Sequence, residues 1–324
     1  MNGELVYIGI DTSNYTTSLA LVSESGEVIA NLKAPLPVKS GERGLRQSDA
    51  VFAHTVNVPG LASEIKKYLS AKTPVCIGVS SKPRNSEGSY MPCFLVGVSV
   101  AEALASFLDI PIYRFSHQCG HIMAAVYSSG RTDLLGRAFP AFHVSGGTTE
   151  LVRVEAFSGG FNTKLLGGSA DLNAGQVIDR IGVYFGLPFP AGRHLEELAL
   201  SCAQRPPKKK VSISSLKINL SGLENMAIKL YKDTSDKPLV AAFVFDYIGR
   251  SLLALREEYE RMHGKGVALF AGGVMCNSII KNIVSDGGES AFAAPDMSSD
   301  NAVGIALLAM HKYKSEKADG YKFT

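Results

Sequence analysis

One pattern is written twice along the chain, and it restricts the fold more than any other feature. An apolar strand at residues 5–10 runs into Asp11-Thr12-Ser13, and strands at 16–22 and 27–32 follow it with only short turns between. After a break near residues 130–137 the logic restarts: a strand at 139–144, the turn Ser145-Gly146-Gly147-Thr148-Thr149, then a strand at 150–154. An apolar strand that ends in a polar, glycine-bearing turn and folds back is a meander, not the strand–loop–helix opening of a dinucleotide fold. Its recurrence predicts two similar halves facing each other, with the two turns in equivalent places on one cleft.

The remaining segments supply helices between further strands. Helices are predicted at 58–69, 94–108, 175–185, 194–202, 243–260, 277–284 and 302–313. Strands are predicted at 75–79, at Ile112, at 266–270 and at 291–294, with exposed loops at 35–49 and 205–210 and a frayed tail from Lys314. Alternation of this kind is α/β. Hydrophobic residues make up 46% of the 324, enough to fill a core and to exclude a disordered chain. The net charge of +3 demands no polyanionic partner, although Lys208–Lys210 can touch one. Five cysteines without a CxxC spacing argue against a disulfide framework and for a reducing compartment. No signal segment and no apolar run of membrane-spanning length is read, so the expectation is a cytoplasmic protein without a membrane partner.

Four constellations can carry chemistry. Asp11-Thr12-Ser13 ends a buried strand, where a carboxylate, hydroxyls and turn amides hold phosphate oxygens or a cation, or where Asp11 closes an Asx turn on its own backbone. Ser145, Gly146, Gly147 and Thr148 either cradle a phosphate on successive amides or make a plain hairpin turn. Gly272 and Gly273 follow a strand and open the backbone to a flat ligand such as adenine, or simply let helix and strand pack closely. Asn277, further on, bonds that ligand or caps a helix. His117 and His121 stand at i and i+4, on one helix face, and so can chelate one divalent metal, zinc or non-haem iron. Asp300 is the third ligand, or else a helix cap. Cys119, at i+2, points off that face. No Walker lysine motif, GxSxG or HExxH occurs.

The order of these motifs resembles the TsaD (YgjD/Gcp) family over nearly the whole chain. The family's G-I-E-T-S-C-D reads here Gly9-Ile10-Asp11-Thr12-Ser13-Asn14-Tyr15, and its H-x-E-G-H reads His117-Gln118-Cys119-Gly120-His121, with Asp300-Asn301 matching the metal aspartate. S-G-G-H-T becomes residues 145–149, and the ribose segment D-D-A-A-G-E-A-F-D-K becomes residues 171–180, ending in Asp179-Arg180. Y-P-G-G-P becomes Phe189-Pro190-Ala191-Gly192-Arg193, F-S-G-L-K is echoed by residues 220–224, and A-G-G-V-x-x-N survives as residues 271–274 plus Asn277. Four departures stand out. Cys119 replaces the glutamate of the metal motif and Leu172 the second aspartate of the D-D pair. The G-P-G-L turn gives way to the longer, basic residues 80–88. In the E-L-A-S-R-x-H segment Gln47 stands for the glutamate while His54 persists.

The resemblance implies the ASKHA fold of actin, Hsp70 and sugar kinases, built from two duplicated RNase H-like domains. These would be 1–133 plus 295–324, carrying the histidine pair, and 134–294, carrying the phosphate and nucleoside loops. It implies metal-assisted transfer of a threonylcarbamoyl group from threonylcarbamoyl-AMP to N6 of adenosine 37 of tRNA. Asp11, His117, His121 and Asp300 would be catalytic, the last three as metal ligands. Ser145, Gly146, Gly147, Thr148, Asp179, Gly192, Gly272, Gly273 and Asn277 would bind nucleotide. The implied cofactors are one divalent metal, iron or zinc (or magnesium carried with the nucleotide), and ATP or an acyl-adenylate. The implied partners are tRNA and an adenylate-forming enzyme or paralogous subunit. The departures keep two alternatives open: a nucleotide-binding paralogue that scaffolds a partner without transfer, and an ASKHA small-molecule kinase.

Overall fold

The computed structural model describes residues 3–13, 15–37, 45–157 and 159–318. The chain forms two compact units. The first holds Met1–Arg137, Glu155–Thr163 and Asp296–Thr324, and the second Ala138–Val154 and Lys164–Pro295. The segment Glu155–Thr163, which the sequence reading assigns to the second half, packs with the first unit, because it is the tip of a long hairpin that reaches out of its own sheet.

In the first unit β1 (Glu4–Ser13), β2 (Thr16–Ser23) and β3 (Val28–Pro35) form the expected meander. The tight return after β2 rests on Gly26, whose φ of 89° lies in the left-handed region, and on the Ser23 Oγ that accepts the Glu27 amide at 3.1 Å. Then come α1 (Gln47–Ile65), β4 (Lys72–Lys82), α2 (Phe94–Leu108), β5 (Ile112–Ser116) and α3 (His117–Ser128). The sheet order is β3-β2-β1-β4-β5; β4 is parallel to β1 and β5 to β4, as helical crossovers require. Side chains alternate across β1. Ile8 and Ile10 join Ala101 and Ala105 of α2 in one apolar cluster, whereas Gly9 faces the other way. There the C-terminal helix α9 (Val303–Ala318) lies directly on the sheet: a Cβ at Gly9 or Gly78 would strike its backbone.

The second unit repeats the order. β6 (Ala138–Val144), β7 (Thr149–Phe157) and β8 (Gly160–Ser169) precede α4 (Ala174–Tyr184) and α5 (Gly192–Leu200). A two-strand flap of β9 (Ile213–Ser214) and β10 (Lys217–Ile218) leads to α6 (Ser221–Thr234), α7 (Lys237–His263), β11 (Ala268–Ala271), α8 (Ser278–Ser285) and β12 (Ser290–Phe292). The sheet order is β12-β11-β6-β7-β8-β10-β9, so its first five strands repeat the 5-4-1-2-3 sequence of the first sheet. Among the described residues α7 is the helix long and apolar enough to cross a membrane, but most of its apolar stretch is buried in this unit's core.

Several sequence expectations shift. α1 spans 47–65 rather than 58–69, with Pro59 inside it, so the predicted loop ends earlier; residues 38–44 of that loop lie outside the described residues. β8 and α6 were not anticipated, although Leu223 and Ala227, one turn apart and fully buried, carry the helical signal of α6. Lys314 continues α9 instead of fraying, and residues 319–324 lie outside the described residues.

Candidate metal centre and nucleotide loops

The first unit brings three separate segments to one point. β5 hands over to α3 through Ser116, whose Oγ accepts the Cys119 amide at 3.2 Å and so starts the helix just before His117. His117 and His121 then share a face, with their Nε2 atoms 2.9 Å apart. Asp300 Oδ1 lies 3.6 Å from His117 Nε2 and 3.3 Å from His121 Nε2. The ligand atoms of the three side chains all fall within 4.8 Å of one another.

Glycines make this approach feasible. A Cβ at Gly304 would overlap the Gly120 carbonyl, and one at Gly120 would press on Ile305, so α3 and α9 touch backbone to backbone. Asp300 is not the cap of α9. Asn301 does that work: its Oδ1 accepts the Val303 amide at 3.1 Å while its Nδ2 donates to the Met297 and Ser299 carbonyls. Lys33 Nζ, donating to the Asp296 carbonyl at 2.9 Å and Ser299 Oγ at 3.0 Å, ties down the same loop; nothing in the sequence had singled it out.

Asp11, fully buried, stands behind His117. Its Oδ2 is 2.8 Å from His117 Nδ1, and since a carboxylate only accepts, Nδ1 carries the proton and Nε2 points toward His121 and Asp300. Ser80 donates to Asp11 Oδ1 and Ser13 to Oδ2, so the carboxylate is committed to positioning. Burial opposes charge on His117, but Asp11 and Asp300 outweigh it and push the imidazole up to about 10. Burial would raise the Asp300 carboxyl, yet the two histidines hold it well below its ordinary range. Two ring nitrogens and one carboxylate oxygen converge at this point. Those are the donors of zinc or non-haem iron, and magnesium, which prefers oxygen, fits them less well. Cys119 faces away, its Sγ 3.3 Å from Asn85 Nδ2, and burial pushes its thiol up. Two departures from the family pattern, Cys119 and the 80–88 loop, therefore meet in one contact. His54 is also fully buried here, with Nδ1 2.8 Å from Thr17 Oγ1.

The second unit holds the glycine loops. The turn after β6 closes through the Ser145 amide, which donates to the Thr148 carbonyl at 2.7 Å. It lies on the start of α4, where a Cβ at Gly175 would press against Gly146. The first amides of α4 are already taken: Ala174 N donates to Thr149 Oγ1, Gly175 N to the Ser145 carbonyl, and Asn173 with Gln176 forms a capping box. An anion here would rely on the exposed Gly146 and Gly147 amides rather than on the helix terminus.

Asp179 Oδ1 accepts the Ala191 amide at 2.8 Å, which places it beside Gly192; burial raises its carboxyl. Gly272, at φ 99°, crosses the Val144 backbone, and a Cβ at Gly273 would meet open space. Of the two roles the sequence left open for Asn277, the structure shows the helix cap. Its Oδ1 caps α8 by accepting the Ile280 amide at 2.9 Å, and its Nδ2 is buried with no partner. Glu196 Oε1, which the sequence did not flag, accepts from both the amide and the hydroxyl of Ser278 next door. Asp171 binds the Leu220 and Ser221 amides, pinning the segment before α4 to the start of α6, and Leu172 packs against the apolar core.

The family model of TsaD, tRNA N6-adenosine threonylcarbamoyltransferase, matches residues 41–307. The chain belongs to the TsaD family. Proteins named tRNA N6-adenosine threonylcarbamoyltransferase align along almost its full length. That of Streptococcus suis is 27% identical over 99% of this chain and 96% of its own. That of Moorella thermoacetica is 28% identical over 94% and 91%, and that of Methanopyrus kandleri 24% identical over 93% and 86%. Among solved structures, HypF of T. kodakarensis superposes with a TM-score of 0.64 at 12% identity, covering 97% of this chain and 48% of that one. The ROK hexokinase of Thermus thermophilus gives 0.54 at 12% identity, over 95% and 99%. At such identity these likenesses carry the fold alone, and the fold is ASKHA. As a TsaD-family protein the chain stands among transferases of tRNA threonylcarbamoyladenosine biosynthesis.

Proposed function

We propose that this protein transfers a threonylcarbamoyl group from threonylcarbamoyl-AMP to N6 of adenosine 37 of tRNA, with a divalent ion held by His117, His121 and Asp300. The observation that carries the reading is the convergence of His117 Nε2, His121 Nε2 and Asp300 Oδ1 from segments far apart in the chain. When bound, the ion supplies positive charge that polarises an acyl or phosphate oxygen. Asp11 holds a proton at His117 Nδ1 and so aims Nε2 at the ion, which it ligates on giving up its own proton.

In the transfer, adenosine N6 attacks the carbamoyl carbon, the bond from that carbon to the AMP phosphate oxygen breaks, N6 loses a proton and AMP leaves. The Gly146 and Gly147 amides, with Ser145 and Thr148 framing them, receive phosphate oxygens. Asp179 offers its second oxygen to a ribose hydroxyl beside Gly192. Gly273, whose Cβ position is open while Gly272 lets the strand cross the Val144 backbone, gives a flat base room, and the orphaned Asn277 Nδ2 donates to it. tRNA and an adenylate-forming partner complete the reaction, in the cytoplasm; the exposed Lys208–Lys210 stretch suits a phosphate backbone.

The test is formation of the modified adenosine from tRNA, threonine, bicarbonate and ATP with the adenylate-forming partner present. Product with wild type and none with His117→Ala supports the reading, and wild-type product from that variant refutes it. A second reading, a nucleotide-binding paralogue without transfer, is favoured by Leu172, which packs against the apolar core and offers no carboxylate. It predicts ATP binding with no product. A small-molecule kinase would need a free carboxylate base, and Asp11 is engaged on both oxygens.

A further inference from the structure

A cavity of about 530 Å³ opens in the first unit, with walls from α3, α9, the 135–136 turn and the hairpin tip between β7 and β8. That volume falls in the range of small-molecule sites, roughly 300–1,000 Å³. Met123, Leu135, Phe157 and Phe161 give it an apolar wall. His311 and Lys314, one turn apart on α9, give it a polar end, and no carboxylate lines it. Lys314 is in no ion pair among the described residues. Its Nζ donates to the Glu24 carbonyl at 2.6 Å, which fixes the ammonium and leaves two protons for another acceptor. His311 is half-buried, and burial, then Lys314, lowers its pKa, so Lys314 is the cavity's positive charge.

The tip of the hairpin is held against α9 by a close approach at Gly159 (φ 84°), where a Cβ would crowd Lys312 and Ser315. That approach seats the hairpin tip beside the α9 residues that line the cavity. None of His117, His121 and Asp300 lines it, although it shares α3 with the two histidines.

We propose that this cavity is a second ligand site, which takes a small organic anion: an aromatic or branched apolar body against Met123, Leu135 and Phe161, with its carboxylate on Lys314. It is independent of the transfer reaction and of the nucleotide loops.

The probe is 2-naphthoate, titrated calorimetrically into the full-length protein, with neutral 2-naphthylmethanol as the charge control. The expected result is one saturable site per chain, about tenfold weaker for the alcohol. Lys314→Met weakens 2-naphthoate about tenfold and brings the two probes level, and Leu135→Trp, which fills the cavity, removes binding. Melting curves check that both variants fold, and the Lys314 change, at an exposed side chain, keeps the question answerable if the tryptophan does not fit. No saturable binding by the folded wild type, or an unchanged preference for the anion in Lys314→Met, overturns the proposal.

Discussion

Gly304 passes over Gly120 so closely that a Cβ on the first would overlap the carbonyl oxygen of the second. That contact sets the spacing of α3 and α9, and so the distance from the histidine pair to Asp300. Gly304→Ala must push the helices apart. The expected cost is about 1–3 kcal/mol of stability, with weaker metal binding as well, read by urea denaturation and metal titration of the same sample. An alanine variant as stable as wild type would show that the helices have slack.

Asp11 acts through His117. Asp11→Asn keeps the shape but replaces an acceptor-only group by one that no longer stabilises the Nδ1 proton. Metal affinity should fall roughly 10–100-fold, the usual price of losing such a partner, while the far-UV spectrum stays unchanged. A competition titration with a chromophoric chelator measures it.

Metal binding should release a proton. In the metal-free protein His117 is raised to about 10, so it is charged at neutral pH and must give up a proton to ligate. Calorimetry in buffers of different ionisation enthalpy should report about one proton per ion, with affinity rising between pH 6 and 9. The sign for the metal-free fold is the opposite. A pKa raised on folding adds stability that is full below the unfolded histidine value of about 6.5 and is lost as pH climbs through about 10.

Asn277 separates a structural role from a binding one. Asn277→Asp retains the acceptor for the Ile280 amide and should leave stability within about 0.5 kcal/mol of wild type. It removes the orphaned Nδ2 donor, so ATP affinity should drop at least about tenfold. Equal ATP affinity in the two proteins would mean that this nitrogen faces no base.

Arg256 is 1% exposed and bonds Glu260, Ser290 Oγ and several carbonyls that close the end of α8. Arg256→Met strands those acceptors, and about 3–5 kcal/mol of stability should go with it. Guanidinium unfolding monitored in the second unit reads this directly.

The sequence showed its fold through periodicity and its site through spacing. The two strand–turn–strand openings and the i, i+4 histidines are local signals, so both could be read along the chain. Asp300 could not be told from a cap until Asn301 was seen to hold α9, because both roles use the same residue types at a helix start. Lys33, Ser80 and Glu196 carry no local signal at all: each acts on a loop or helix distant in sequence. α1 runs from Gln47 through Pro59 to Ile65, and its buried Ala50, His54 and Val58, at four-residue spacing, carry the signal for its early start.

The proposed transfer depends on one ion at His117, His121 and Asp300. Elemental analysis of the purified full-length protein beside His117→Ala and Asp300→Ala tests it most directly. About one equivalent of iron or zinc in wild type, with less than a tenth of that in either variant, is the expected result. Full occupancy in both variants would contradict it.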